Sequence, residues 1–127
     1  KERIDFRDAT VPVNLIQIYF NVRPHAIDFI KNLSKRYEIV IYTASTQNYA
    51  YEFFSYFNAR TGGSILSCLT RDHCVQVYPG VFLKDLRIIA NRKEKDMVLV
   101  DNMAYSFSAM HENGVPIKNF TFDSSDS

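Results

Sequence analysis

Glu38-Ile39-Val40-Ile41-Tyr42-Thr43 and Met97-Val98-Leu99-Val100-Asp101-Asn102 are the stretches that decide the fold. Each is a short apolar run that ends in polar residues. The first is too short and too continuously apolar for a surface helix, and is expected to be a strand buried on both faces. Working outward, Ile27, Ile30 and Leu33 recur at helical spacing, with Ala26 and Phe29 widening the apolar face. Arg23-Pro24 reads as the start of that helix, with Pro24 at its first position, and Lys31, Lys35 and Arg36 lie toward its end. Ser45 or Thr46 is placed to cap a second helix over 47–58, rich in aromatics from Tyr49 to Phe57, which Gly62-Gly63 ends.

Short strands are expected at 64–70 and 97–100, with a last extended segment at Gly114-Val115-Pro116-Ile117. Val75-Gln76-Val77-Tyr78 and Val81-Phe82-Leu83 flank Pro79-Gly80 and predict a hairpin. Helices are expected near 85–91 and 104–111. Residues 10–22 are β-branched and aromatic and predict extended structure, with Pro12 at an edge or bend. Alternating strands and helices predict an α/β domain around a parallel sheet. In such a sheet the C-terminal strand ends share one edge, where ligands bind, and Thr43 and Asp101 fall there.

Composition narrows the function classes. The 127 residues are enough for one domain with a real core, and 46% hydrophobic with 23% charged is ordinary for a globular protein. A formal charge of +1 gives no reason to propose nucleic acid or an acidic membrane as partner. Arg92-Lys93-Glu94-Lys95-Asp96 alternates in sign and reads as a solvated loop. Cys68 and Cys74, with His73 between them, fit no zinc spacing and no secreted disulfide framework, so reduced structural thiols are expected. No apolar stretch is long enough to span a bilayer. Lys1 and the closing Asp123-Ser124-Ser125-Asp126-Ser127 are read as cut ends. The expected setting is intracellular, nuclear or cytoplasmic, with any membrane anchor outside this segment.

Asp101 is a carboxylate of the kind that holds Mg2+, and Asn102 can orient it or a bound water. Thr43 offers a hydroxyl to phosphoryl oxygens. Lys84, in Leu83-Lys84-Asp85-Leu86, would neutralise charge on a transferring group. Taken singly each has a plainer role: a loop carboxylate, a helix-capping Thr, a solvated hairpin cation.

Six short motifs then appear in order. They are Arg23-Pro24-His25, Ile39-Val40-Ile41-Tyr42-Thr43-Ala44-Ser45 with Tyr49, and Arg71-Asp72-His73-Cys74. Leu83-Lys84-Asp85-Leu86, Val100-Asp101-Asn102 and Asn113-Gly114-Val115-Pro116-Ile117 complete them. From about residue 10 to residue 127 the chain resembles the small C-terminal-domain phosphatases, the NLI-interacting-factor-like and dullard-like group of the haloacid dehalogenase superfamily. The resemblance implies a Rossmann-like three-layer α/β fold with a parallel central sheet and a β-hairpin insertion. It implies a Mg2+-dependent phosphatase of phosphoserine or phosphothreonine in proteins, with RNA polymerase II tail repeats among the family's substrates. By the same resemblance Thr43 binds phosphate, Lys84 bridges phosphate and nucleophile, and Asp101 is a metal ligand supported by Asn102. Tyr49 and Arg71 match substrate-recognition positions, and Cys74 and Pro24 structural ones.

The sequence also departs from that pattern. The family's first motif, D-x-D-x-T or D-x-D-x-V after an apolar strand, supplies the nucleophile, and it is not found here. Asp5-Phe6-Arg7-Asp8 is rejected, because carboxylates three apart cannot share one side of an extended segment and no apolar strand precedes them. The central strand bearing the motif is therefore expected to be absent from this chain, which as given is expected to be inactive. Met103-Ala104 replaces the usual Ser-Pro after Asp-Asn. The second reading is a pseudophosphatase that keeps the fold and docks a partner protein; retention of Thr43, Lys84, Asp101 and Asn102 together favours the enzyme.

Overall fold

In the computed structural model, residues 2–7, 15–20, 22–107 and 111–120 are described. Strands and helices alternate through the middle of the chain, the α/β pattern expected from the sequence. Among the described residues the strands form four two-stranded sheets: β1 with β2, β3 with β4, β5 with β6 and β7 with β8. The chain divides into two units, one of residues 1–41, 47–68 and 120–127, the other of residues 42–46 and 69–119.

The first unit opens with β1 (Glu2–Arg7) and β2 (Leu15–Phe20), paired antiparallel from Glu2 opposite Phe20 to Arg7 opposite Leu15. Strand β1 contains Asp5 and is not among the strands expected from the sequence. Ile4 and Phe6 alternate with Arg3, Asp5 and Arg7, a period-two signal over a short run. Asp8 itself, with Pro12, lies outside the described residues. Helix α1 (Ala26–Leu33) starts two residues later than predicted. The Ala26 N–H donates to the Arg23 carbonyl at 3.1 Å, and His25 has φ 69°. Pro24 therefore occupies the first corner of a turn, where its fixed φ belongs, rather than the first helical position. Lys31 lies in the last turn, while Lys35 and Arg36 fall in the turn beyond it.

Strand β3 (Ile39–Tyr42) is where the apolar run predicts it, but it is not buried on both faces, since Val40 is 39% exposed. β3 has one hydrogen-bonded neighbour, β4 (Ile65–Leu69), among the described strands. Helix α2 (Gln47–Arg60) buries Ala50 completely. Its aromatics pair along the surface: Tyr56 meets Phe57 edge-on at 5.2 Å, and the Arg60 guanidinium lies 3.6 Å over the Tyr56 ring. The helix stops in a Schellman arrangement. Gly62 takes φ 69°, and the Gly63 N–H donates to the Asn58 carbonyl at 2.8 Å. The Asn58 side chain then accepts from the Ile65 N–H at 2.9 Å and starts β4.

The second unit holds the predicted hairpin, β5 (Val75–Tyr78) and β6 (Val81–Leu83), with Gly80 at φ 77° supplying the left-handed corner. β7 (Leu99–Asp101) pairs in parallel with β8 (Gly114–Pro116), in register from Leu99 opposite Gly114. Leu99 and Asp101 point inward while Val98 and Val100 face out, the alternation of a strand with one covered face. Leu86 and Leu99 form the core, with Tyr42 and Met97 packed against them.

Two predicted helices are only single turns. Residues 85–91 give a 3-10 turn, Leu86–Ile88, and 104–111 give Ala104–Phe107, with a further turn at His111–Asn113. Asp85 accepts from the Arg87 backbone and, through both oxygens, from its guanidinium, which satisfies the start of the first turn. Runs this short cannot repay helix nucleation, and Ile88-Ile89 adds β-branched side chains that resist it.

Candidate active site

Three chain segments in the second unit end at one cavity of about 360 Å³. The first leaves β3 at Thr43. Its N–H donates to the Leu69 carbonyl at 2.9 Å, and its side-chain oxygen accepts from the Ser45 N–H at 3.1 Å. That short loop is what a hydroxyl two residues ahead of an N–H produces, and it presents Thr43, Ala44 and Ser45 to the cavity. The second segment leaves β6 at Lys84, whose backbone N–H donates to the Ser106 carbonyl at 2.8 Å. The third leaves β7 at Asp101, which accepts from the Met103 N–H at 2.8 Å through Oδ1.

The Lys84 ammonium donates to Asp101 Oδ2, and the two side chains are only 12% and 6% exposed. A charge pair this well covered has lost most of its water, so each partner depends on the other. Asn102 donates from Nδ2 to Asn119 Oδ1 at 2.7 Å. Its amide is thereby held, and Asp101 and Asn102 both line the cavity, two oxygen donors of the type hard cations take.

Arg71 enters from the turn after β4. Its backbone N–H donates to the Ser45 carbonyl at 3.0 Å, and Nε donates to the Ala44 carbonyl at 2.7 Å. The guanidinium also lies 5.0 Å from the Phe82 ring centre. The cavity wall thus carries two cations, Lys84 and Arg71, against the single carboxylate Asp101. That balance suits an anion with several oxygens, such as a phosphoryl group.

Of the residues singled out in the sequence, Thr43, Lys84, Asp101, Asn102 and Arg71 all line this cavity. Tyr49 does not belong to the same set: it sits on α2 in the first unit, 44% exposed. Ser45, Phe82 and Tyr105 line the cavity and were not singled out as site residues. One of them carries a sequence signal: Phe82 lies two residues before Lys84, the spacing that keeps side chains on one side of extended chain.

Cys74 sits half-buried behind the wall, its sulfur 3.7 Å from the carbonyl oxygens of both Thr43 and Thr70. Burial pushes its thiol pKa up, opposed by the Lys84 and Arg71 cations. A protonated thiol packed on carbonyls is a structural group, not an activated nucleophile. Cys68 is likewise free and raised by burial.

Tyr42 ties the end of β3 to the turn carrying Arg71 by donating its hydroxyl to the His73 carbonyl. Burial, then the neighbouring Cys74, pushes the phenol up to about 12. The folded pKa lies above the unfolded one, so the hydroxyl's contribution is complete below the unfolded value near 10 and is lost as pH rises toward 12. Alkaline titration should therefore show one late phenolate step in the tyrosine absorbance, and Tyr42→Phe should remove it. A late step that persists in Tyr42→Phe would assign the raised pKa elsewhere.

Residues 2–127 match the family described as NLI interacting factor-like phosphatase. CTD small phosphatase-like protein 3 of Caenorhabditis elegans is 37% identical over 110 residues, covering 87% of this chain and 37% of that protein. Human CTD small phosphatase-like protein is 30% identical over 129 residues, covering 94% of this chain and 43% of its own length. Nuclear envelope morphology protein 1 of Schizosaccharomyces pombe is 32% identical over 87% of this chain and 23% of its own. The chain thus spans less than half the length of these curated relatives. The solved structure of a fission yeast RNA polymerase II CTD phosphatase bound to beryllium fluoride superposes with a TM-score of 0.75 at 20% identity. It covers 95% of this chain and 32% of the other, and shows the shared α/β fold. The chain belongs to the NLI interacting factor-like phosphatase family.

Proposed function

We propose that this chain carries the phosphate- and metal-binding part of a Mg2+-dependent phosphatase that removes phosphate from phosphoserine or phosphothreonine in proteins. The observation that carries the reading is the convergence of Thr43, Lys84, Arg71, Asp101 and Asn102 on one cavity with an excess of cations. Asp101 and Asn102 fit a hard cation of the Mg2+ class, which is held by one or two carboxylates, water and the substrate phosphate. When bound there, the ion would neutralise charge on the phosphoryl oxygens.

Within the chain, Thr43 and Ser45 orient phosphoryl oxygens, and Arg71 holds the outer ones. Lys84 carries positive charge to the phosphorus centre while holding Asp101 in place. The attacking group is an aspartate of the D-x-D type, and no second carboxylate lines the cavity among the described residues. We assign that aspartate to a strand outside these residues. Its oxygen attacks phosphorus as the ester oxygen leaves, a neighbouring aspartate gives the leaving oxygen a proton, and water then hydrolyses the aspartyl-phosphate. RNA polymerase II tail repeats are one candidate substrate, since several relatives are named as CTD phosphatases. Two relatives are named for the nuclear envelope, which makes a nuclear or adjoining location the working assignment. Among the described residues no helix is long and apolar enough to cross a membrane.

The single carboxylate is also what a pseudophosphatase that only docks a partner would show. The full-length protein separates the two readings. Hydrolysis of p-nitrophenyl phosphate that needs Mg2+ and stops with EDTA supports the enzyme. No turnover, together with no D-x-D motif ahead of this segment, supports the docking module.

A further inference from the structure

Arg71 reaches the cavity from a single 3-10 turn, Arg71–His73, which is too short to hold itself. Its start is closed by a side chain. The Thr70 N–H donates to His73 Nδ1 at 3.0 Å, and the Thr70 hydroxyl oxygen lies 3.5 Å from the same nitrogen. In return the His73 N–H donates to the Thr70 carbonyl at 2.8 Å. Thr70 is only 5% exposed, so water cannot readily replace the ring as partner for its N–H. An amide N–H can only donate. Nδ1 must therefore be the bare nitrogen of a neutral ring, with the proton on Nε2.

We propose that His73 is a positioning residue: its imidazole Nδ1 closes the turn that aims Arg71 into the cavity. Without that acceptor the buried Thr70 N–H would be left unpaired. Arg71 would keep its bonds to Ala44 and Ser45 but lose the turn beneath it. The ionisable groups about this turn are Arg71, Asp72 and Cys74 on the chain itself and Tyr42 from β3, bonded to the His73 carbonyl. Lys84, Asp85 and Asp101 lie behind these, acting on Tyr42 and Cys74. None of them supplies an acceptor to the Thr70 N–H in place of Nδ1. The inference rests on the proposed function in one respect, that Arg71 binds the substrate anion.

The test uses the full-length protein and p-nitrophenyl phosphate. His73→Ala should raise KM roughly fivefold with kcat unchanged, the loss of a cap worth about 1 kcal/mol. His73→Asn places an amide oxygen where Nδ1 sits, so it should keep the wild-type KM. An unchanged KM in His73→Ala, or a KM in His73→Asn raised as far as in His73→Ala, would overturn the proposal. Hydrogen exchange of the peptide spanning residues 70–74 provides a readout without turnover. It should be faster in His73→Ala than in wild type, and restored to the wild-type rate in His73→Asn. That exchange pattern without any hydrolysis would sink the phosphatase reading and leave the role of His73 standing; hydrolysis without the pattern would do the reverse.

Discussion

Lys84→Ala is expected to destabilise the fold by about 3–5 kcal/mol, a loss well beyond that of an ordinary surface substitution. The reason is the state of Asp101 once its partner is gone. Asp101 is 7% exposed, and after the truncation its carboxylate keeps the Met103 N–H but no cation. A covered charge without a counter-charge costs more than the pair itself contributes. The comparison that isolates this cause is Lys84→Met combined with Asp101→Asn. The amide still accepts from the Met103 N–H, the charge is gone, and the thioether chain refills the volume. Urea denaturation should place the double variant close to wild type and well above Lys84→Ala. If the double variant were as unstable as the single one, packing around Lys84 rather than the unpaired charge would be the cause.

Asp101→Asn alone is expected to lower kcat for p-nitrophenyl phosphate by about 10²–10³ in the full-length protein, the usual cost of removing one preorganised electrostatic group. The same substitution should raise the Mg2+ concentration needed for half-maximal rate, because an amide oxygen is a poorer donor to a hard cation than a carboxylate. The two readouts guard against a trivial explanation: partial unfolding lowers the amount of active protein but does not shift its metal dependence. An unchanged rate would remove Asp101 from the site. The stable double variant should be as inactive as Asp101→Asn or more so, which separates the charge pair's part in folding from its part in chemistry.

Different parts of the chain were legible to different degrees. The strand over Ile39–Tyr42, the helix over Gln47–Arg60 and the hairpin around Pro79-Gly80 follow from patterns closed by their own neighbours. Gly62, Gly63 and Gly80 take the left-handed conformations that those breaks require. The helices expected near 85–91 and 104–111 were misread, because apolar spacing over so few residues does not reveal whether a second turn forms. The burial of Val40 was misread as well, since an apolar run does not say how many neighbours its strand has. Strand β1 was missed because a five-residue alternation of charged and apolar residues is weak without its partner β2 in view.

By itself the sequence determined which residues stand at strand ends and in what order: Thr43, Lys84 and Asp101, with Asn102 beside the last. Local rules suffice for that, because periodicity, β-branching and turn residues act over a few neighbours. Only the tertiary structure decided what these residues do to one another. Lys84 and Asp101 are 17 positions apart, and their pairing depends on the Lys84 backbone docking on Ser106. Arg71 faces the cavity because its N–H and Nε reach Ser45 and Ala44, 26 and 27 positions earlier. Tyr49, equal to the others in the sequence, lies on α2 in the first unit and is not among the residues lining the cavity. Charge pairing and desolvation are properties of distances between segments, and those distances exist only once the chain has folded.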